Sequence, residues 1–303
     1  MLPSLEGFAG AVLGSLDAAS RATVAGELTS LEQTVLARSD LRAVLTDTSI
    51  AGRARGQVLA QLLQGKVHDA TRRLAAYAAT SVPAQEVPHA VAELAIMARS
   101  FNDTGAVDLP SLGLMAARRR VSGFADALLE EIAVEGFAQI ENELFSWART
   151  VEGNLELRRL LLDRDAALEA RLGATEQLLA GRVHPVTLRI ARYVIEGGRP
   201  RDVVGTLDHL VDYVAQARDW RVARVHTARA LDASSQQELV RSLATLTGKS
   251  VELQIAEDPA LLGGVLVEVG DLRLDATTRG RLGTLHDAMA SGRLYEASMD
   301  RND

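Results

Sequence analysis

The chain has 303 residues, enough for two or three domains that each bury a core. Apolar residues make up 47%, charged residues 24% and aromatics only 4%, a globular profile whose Ala and Leu favour helices. A net charge of −7 argues against a general nucleic-acid binder and against docking on anionic lipid, and the absence of cysteine excludes disulfides, zinc–thiolate sites and thiol nucleophiles.

Residues 1–20 are apolar without a basic flank, which reads as a helix and not as a secretory leader. No apolar run approaches the length of about 18 residues that a membrane crossing needs. The apolar face of the first helix runs over residues 5–16. Asp40 stands where a side chain would cap a helix start. Gly65 stands where a helix stops, and Val67 opens the next. Residues 100–113, with Gly105, Pro110 and Gly113, read as a joint. A second apolar helix face follows at 121–132, and Asn154 is another candidate cap. Leu157, Leu160, Leu161, Leu168 and Leu172 fall at helical spacing. After Gly181, so do Val183, Val186, Ile190 and Val194, and then Val203, Leu207, Leu210, Val211 and Val214. Beyond about Ala217 the period changes. Residues 220–227 read as a strand, 234–247 as a helix, and 251–255, 265–269 and 272–274 as three further strands. Gly270-Asp271 joins the last two as a two-residue hairpin turn.

The strongest internal signal is a duplication at a spacing of 116 residues. Leu41-Arg42 returns as Leu157-Arg158, Gln61-Leu62-Leu63 as Gln177-Leu178-Leu179, and Gly65 as Gly181. Val67-His68 returns as Val183-His184, and Thr71, Arg73, Ala75 and Tyr77 return as Thr187, Arg189, Ala191 and Tyr193. Residues 41–77 and 157–193 share 17 of 37 positions, where chance gives roughly a tenth for this composition. The match extends to Gly7-Phe8-Ala9 with Gly123-Phe124-Ala125, and to Glu27-Leu28 with Glu143-Leu144. One helical domain is written twice. The expected fold is mostly α: two tandem six-helix-bundle domains, 1–104 and 117–217, joined by a linker at 105–116. A small α/β domain at 218–290 and a polar tail at 291–303 complete the chain.

That last domain carries a signature. It reads Asp258-Pro259, the pair Gly263-Gly264, the apolar run Val265–Val269, Gly270-Asp271, then Asp275 and the distal pair Arg281-Leu282. This pattern resembles the C-terminal signature of the delta subunit of F-type ATP synthases, the family of the mitochondrial oligomycin-sensitivity-conferring protein. The resemblance covers about residues 117–290. The stretches Glu141-Asn142-Glu143-Leu144-Phe145 and Asn154-Leu155-Glu156-Leu157-Arg158-Arg159-Leu160-Leu161 are similar to actinobacterial members, which carry an extra N-terminal helical copy. Those members are sometimes fused to the stalk subunit b, and no such segment is visible here. One departure is that the family's Asp-Gly-Ser is Asp275-Ala276-Thr277 here.

The resemblance implies a stator subunit of a proton-translocating enzyme, with no catalytic, metal or cofactor site of its own. Its helical domain would grip the N-terminal segments of the alpha subunits, and its C-terminal domain would hold the b stalk. The second copy abuts that domain, so Phe124, Leu128 and Ile132 on its first helix are the candidate alpha-subunit contact. The subunit would sit at the cytoplasmic face of the bacterial plasma membrane, held there only through the complex, and would not be a homo-oligomer. The competing readings are an unrelated helical-repeat adaptor or regulator and, more weakly, a helical enzyme.

Other motifs read as structural. Gly248-Lys249-Ser250 ends like a phosphate-binding loop, but Leu243 stands where the motif needs glycine, and a helix precedes where a strand should. His68 and His184 lack neighbouring acids and read as helix-end packing. Arg118-Arg119-Arg120 reads as a solvated helix face, as do the acids Glu130, Glu131, Asp163 and Asp165.

Overall fold

A computed structural model describes residues 2–104, 110–163, 165–219, 222–247, 251–258, 261, 263–269 and 272–278. The chain is mostly helical, with a small four-stranded sheet near its C-terminal end. It divides into two compact units, Met1–Ala215 and Gln216–Asp303.

In the first unit, α1 (Pro3–Gly14), α2 (Ala18–Ala37), α3 (Ser39–Thr46), α4 (Gly52–Leu63), α5 (Asp69–Ser81) and α6 (Val87–Thr104) come from the first copy. The second copy repeats the order with α7 (Leu114–Leu129), α8 (Glu135–Gly153), α9 (Leu155–Leu162), α10 (Leu168–Leu179), α11 (Pro185–Glu196) and α12 (Val203–Asp219). The helices start and stop for local chemical reasons. Asn154 caps α9 by accepting from the Leu157 amide at 3.0 Å. His68 and His184 do the same for α5 and α11, each Nδ1 accepting at 3.2 Å from the amide two residues on. Those helices therefore open two residues later than Val67 and Val183. Asp40 is not a cap: it lies in the first turn of α3, where Arg38 holds its carboxylate. Gly65 and Gly181 follow α4 and α10 at φ values of 70° and 71°, the left-handed conformation that an L side chain resists.

Each copy buries aliphatic and aromatic side chains at equivalent places. Leu5, Phe8, Leu28, Leu45 and Leu74 are fully enclosed in the first, as are Leu144, Leu161 and Ile190 in the second. Each such side chain contributes about 1.5–3 kcal/mol through removal of apolar surface from water.

In the second unit the strand order is β2-β1-β3-β4. β1 (Val222–Thr227) runs parallel to β2 (Glu252–Glu257), the two being joined through α13 (Ala233–Thr247), and antiparallel to β3 (Val265–Val269). β3 pairs antiparallel with β4 (Leu272–Asp275), Val269 opposite Leu272. That register leaves only Gly270 and Asp271 between the strands; these two lie outside the described residues. The core gathers Ala223, Val225, Leu243, Val251, Val267 and Val269. Alternation along β1 puts Ala223, Val225 and Thr227 inward.

Two glycine substitutions are expected to act with opposite signs. Gly181→Ala has open space around it but a strained backbone, and should cost about 1 kcal/mol. Gly173→Ala, exposed inside α10 with nothing within 4 Å, should stabilise by about as much. Denaturant midpoints of the intact protein measure both.

Candidate functional site

The two copies meet where α1 crosses α7, the most extensive helix–helix contact of the first unit. Gly7 and Gly123, 116 positions apart, make the crossing possible. A Cβ on Gly7 would lie 1.8 Å from the Arg120 carbonyl oxygen, and a Cβ on Gly123 would lie 1.9 Å from that of Ser4. Ser4 and Arg120 are themselves counterparts, so each copy presents the same patch to the other. This is the isologous contact of a homodimer, made here within one chain. Behind it, Phe8 stacks on Tyr77 and Phe124 on Tyr193, with ring centroids 3.8 and 3.7 Å apart. Thus α7 lies across α1 and α5, and α1 lies across α7 and α11.

The two ends of the crossing differ. At one, the Asp126 carboxylate accepts from the Tyr77 hydroxyl at 3.0 Å and the Tyr213 hydroxyl at 2.7 Å. Arg73 donates there to the Ala127 carbonyl at 2.8 Å and bridges to Glu130 and Glu131. Burial, reinforced by the Asp126 charge, pushes the Tyr77 hydroxyl well above its ordinary range. At the other end Glu6 lies 3.5 Å from Arg120, both buried. Burial raises the Glu6 pKa despite the opposing pull of Arg120. Arg120 also donates to the Gly197 carbonyl at 2.7 Å and the Pro110 carbonyl at 3.0 Å. The Tyr193 hydroxyl is buried there without a hydrogen-bond partner among the described residues. It faces Gly10, whose Cβ position is 3.7 Å away. Gly10 is the counterpart of Asp126, so the acceptor present at one end is missing at the other. An unpaired buried hydroxyl costs about 1–3 kcal/mol.

Of the candidate alpha-subunit residues, Phe124 and Leu128 are buried on α7, and Ile132 lies half-buried in the turn that follows it. The arginine run is not a solvated face: Arg119 is exposed, but Arg118 is held by Asp202 at 2.8 and 3.0 Å and Arg120 is buried. Nor are Glu130 and Glu131 free surface, since both engage Arg73. Asp163 accepts from the Asp165 amide in the loop after α9. Gly248-Lys249-Ser250 lies outside the described residues. Among the described residues, no group of three or more His, Asp or Glu is placed to hold a metal ion, and no helix is long and apolar enough to cross a membrane.

A duplicated polar joint escaped the sequence reading of single motifs. The Glu27 carboxylate accepts from the His68 amide at 2.9 and 3.0 Å and from the Thr71 hydroxyl at 2.5 Å. Glu143 makes the same bonds to His184 and Thr187. The signal was present as the repeated Glu-Leu and His-x-x-Thr positions. Burial would raise the Glu143 pKa, but hydrogen bonds from Thr187, Gln139 and the His184 amide outweigh it and lower the value.

Of the signature residues in the second unit, Gly264 has φ 81°, and a Cβ there would lie 2.3 Å from the Ala276 carbonyl oxygen. Gly263 accepts from the Thr278 amide at 2.9 Å. Asp275 accepts from the Thr277 amide and hydroxyl at 2.9 and 2.6 Å, which lowers its pKa. The Asp258 amide donates to the Thr227 carbonyl at 2.8 Å, extending the end of β1. These residues shape backbone joints. Pro259, Gly270, Asp271, Arg281 and Leu282 lie outside the described residues.

A duplicated helical unit followed by a small sheet-bearing unit defines a mostly helical, two-unit protein, and the polar groups described above serve joints of that fold. The chain belongs to the ATP synthase delta (OSCP) subunit family, whose model matches residues 121–289. It is 32% identical to the ATP synthase subunit delta of Nocardia farcinica over 289 residues, 95% of this chain and 96% of that one. It is 33% identical to the Streptomyces griseus subunit delta, covering 88% of each chain. With that of Parafrankia sp. it shares 31% identity over 86% of this chain and 84% of the other. Membership makes it a structural subunit of the stator, with a peripheral-stalk role in ATP synthesis and not a catalytic one. It also sets aside the unrelated adaptor and the helical enzyme.

Glu143→Gln is expected to cost about 1–2 kcal/mol at pH 7 by weakening two charge-assisted bonds. Because the folded carboxyl has a lowered pKa, its contribution is complete above the ordinary value and is lost as pH falls through the folded one. The difference between variant and parent, followed by urea unfolding, should therefore shrink below about pH 4.5.

Proposed function

We propose that this subunit ties the alpha subunits of the catalytic head to the b stalk, at the cytoplasmic face of a bacterial plasma membrane, and so resists rotor torque. The observation that carries this reading is the family match at 121–289, which takes in both the second helical copy and the sheet-bearing unit. In this reading each helical copy, 1–104 and 117–217, is a six-helix bundle linked through 105–116. The domain at 218–290 holds b, and 291–303 is a tail. The second copy grips the alpha subunits through Phe124, Leu128 and Ile132. The signature residues keep the b-binding domain in shape, and the subunit works as one copy per complex without cofactor, nucleic acid or direct lipid contact.

A magnitude sets what the joint must withstand. Each proton crossing ~150 mV delivers roughly 3.5 kcal/mol, so several store on the order of 10 kcal/mol as twist. A micromolar tether is worth only about 8 kcal/mol. The joint therefore needs nanomolar affinity or more than one contact, and the additional helical copy supplies a second surface at high effective concentration.

Purified chain mixed with alpha and b subunits should elute as one lasting ternary assembly. Failure of the folded chain to retain either partner would overturn the assignment. Removing 1–110 should weaken retention of the head by at least tenfold, about 1.4 kcal/mol, as the loss of one of two contacts requires.

A further inference from the structure

We propose that the N-terminal end of α10 binds one oxyanion, a carboxylate or a phosphate, between the first-turn amides of Leu168 and Glu169 and the guanidinium of Arg171. The site lies apart from the α1–α7 crossing and from the docking residues named above.

An arginine stays charged wherever it lies, and a charge withdrawn from water needs acceptors around it. The first copy meets that need. Arg55, 5% exposed, folds back over the start of α4 and donates from Nη1 to the Ile50 carbonyl at 2.5 Å and from Nη2 to the Val82 carbonyl at 3.1 Å. Its counterpart Arg171 is 8% exposed, yet its Nε and Nη1 are sealed from solvent with no acceptor among the described residues. Two changes of sequence account for the loss. In the first copy a Cβ on Gly52 would lie 2.5 Å from the Thr80 carbonyl oxygen, and one on Gly56 would lie 2.9 Å from that of Ala76, so α4 settles closely on α5. Leu168 and Leu172 stand at those positions in α10, which packs less closely on α11. Val82 is replaced by Gly198, whose backbone turns back onto α11, its Cβ position 2.2 Å from the Val194 carbonyl oxygen. Arg120 takes the neighbouring Gly197 carbonyl.

The same helix end is open. Ala167 stands at the cap position without a side-chain acceptor, and the amides of Leu168 and Glu169 have no hydrogen-bond partner among the described residues. Free first-turn amides and the helix dipole favour negative charge. Helical side chains lean toward the N-terminus, and Arg55 shows that a guanidinium at this position reaches five residues back. Asp163, Asp165 and Glu169 are exposed, and none accepts from the sealed nitrogens of Arg171. An oxyanion with one oxygen on the amides and another on Arg171 satisfies both.

The test follows the melting temperature of the full chain as sodium phosphate or sodium acetate replaces sodium chloride at constant pH and ionic strength. The parent should rise by about 5 °C at a hundredfold excess over Kd. Arg55→Met should melt lower than the parent and keep that rise. Arg171→Met should melt no lower than the parent in chloride and show no rise. Ala167→Asp, at an exposed position, supplies the missing carboxylate from within. It should raise the melting temperature in chloride and remove the response to phosphate.

If phosphate or acetate stabilises the parent, the anion is a free one. If neither does, while Arg171→Met, unlike Arg55→Met, weakens retention of alpha or b at least about tenfold, the carboxylate belongs to that partner's chain. Absence of both effects would overturn the proposal, as would an anion response that Arg171→Met or Ala167→Asp retains in full. So would a loss of stability in Arg171→Met as large as in Arg55→Met, since Arg171 would then have its partner inside the chain.

Discussion

The union of the two helical copies depends on one steric permission: two backbones touch at α1 and α7 because Gly7 and Gly123 carry no side chain there. Any Cβ at either position would overlap a carbonyl oxygen, and the helices would have to separate. With that separation would go the shared burial between the copies, the Tyr77–Asp126 bond and the bridges from Arg73. The contact turns a tandem repeat into a single compact body. It does so with a self-complementary patch, which is why one sequence motif, used twice, suffices for both sides.

The duplication also serves as an internal control. Contacts kept in both copies support the fold: the Glu27 and Glu143 joints, the two histidine caps, the stacked Phe–Tyr pairs, and the left-handed glycines that end α4 and α10. Several contacts found in only one copy lie around the crossing. Arg120 has Ser4 as its counterpart, Glu6 has Ser122, and Asp126 has Gly10. Ser122 engages His209, whereas Glu6 turns to Arg120 across the interface. Divergence of this kind makes the patch unequal at its two ends while leaving each copy's own core intact. A homodimer could not do this, because every substitution would appear on both sides at once.

How much was legible follows from which interactions are local. Helix stops at Gly65 and Gly181, the cap at Asn154 and the change of period beyond Ala217 are written within a few residues, and periodicity alone exposes them. The Gly263-Gly264 pair and Asp275 were legible only as a family mark, because Gly263 and Gly264 meet Thr278 and Ala276 on the far side of the β3–β4 pair. Asp40 misled because α3 already starts at Ser39, which leaves Asp40 inside the first turn, where its carboxylate pairs with Arg38. The arginine run misled because burial of Arg120 depends on Gly197 and Pro110, one of them distant in sequence. The unequal surroundings of Tyr77 and Tyr193 could not be read at all. Their meaning lies in a comparison between copies that only becomes physical once α1 is seen to occupy, in one copy, the place of α7 in the other.

That exchange of places bears on how such a subunit carries load. A packed interior has low compressibility and transmits strain with little deformation, whereas two domains joined only by a linker would bend before they resisted. The glycine crossing removes this slack between the copies, since rotating one against the other must lift backbones already in contact. Polar groups join the copies at both ends of the crossing: Tyr77 and Arg73 bond Asp126 and Ala127 at one, and Glu6 pairs with Arg120 at the other. A force that parts the copies therefore has to break polar contacts at both ends as well as lift backbones already touching.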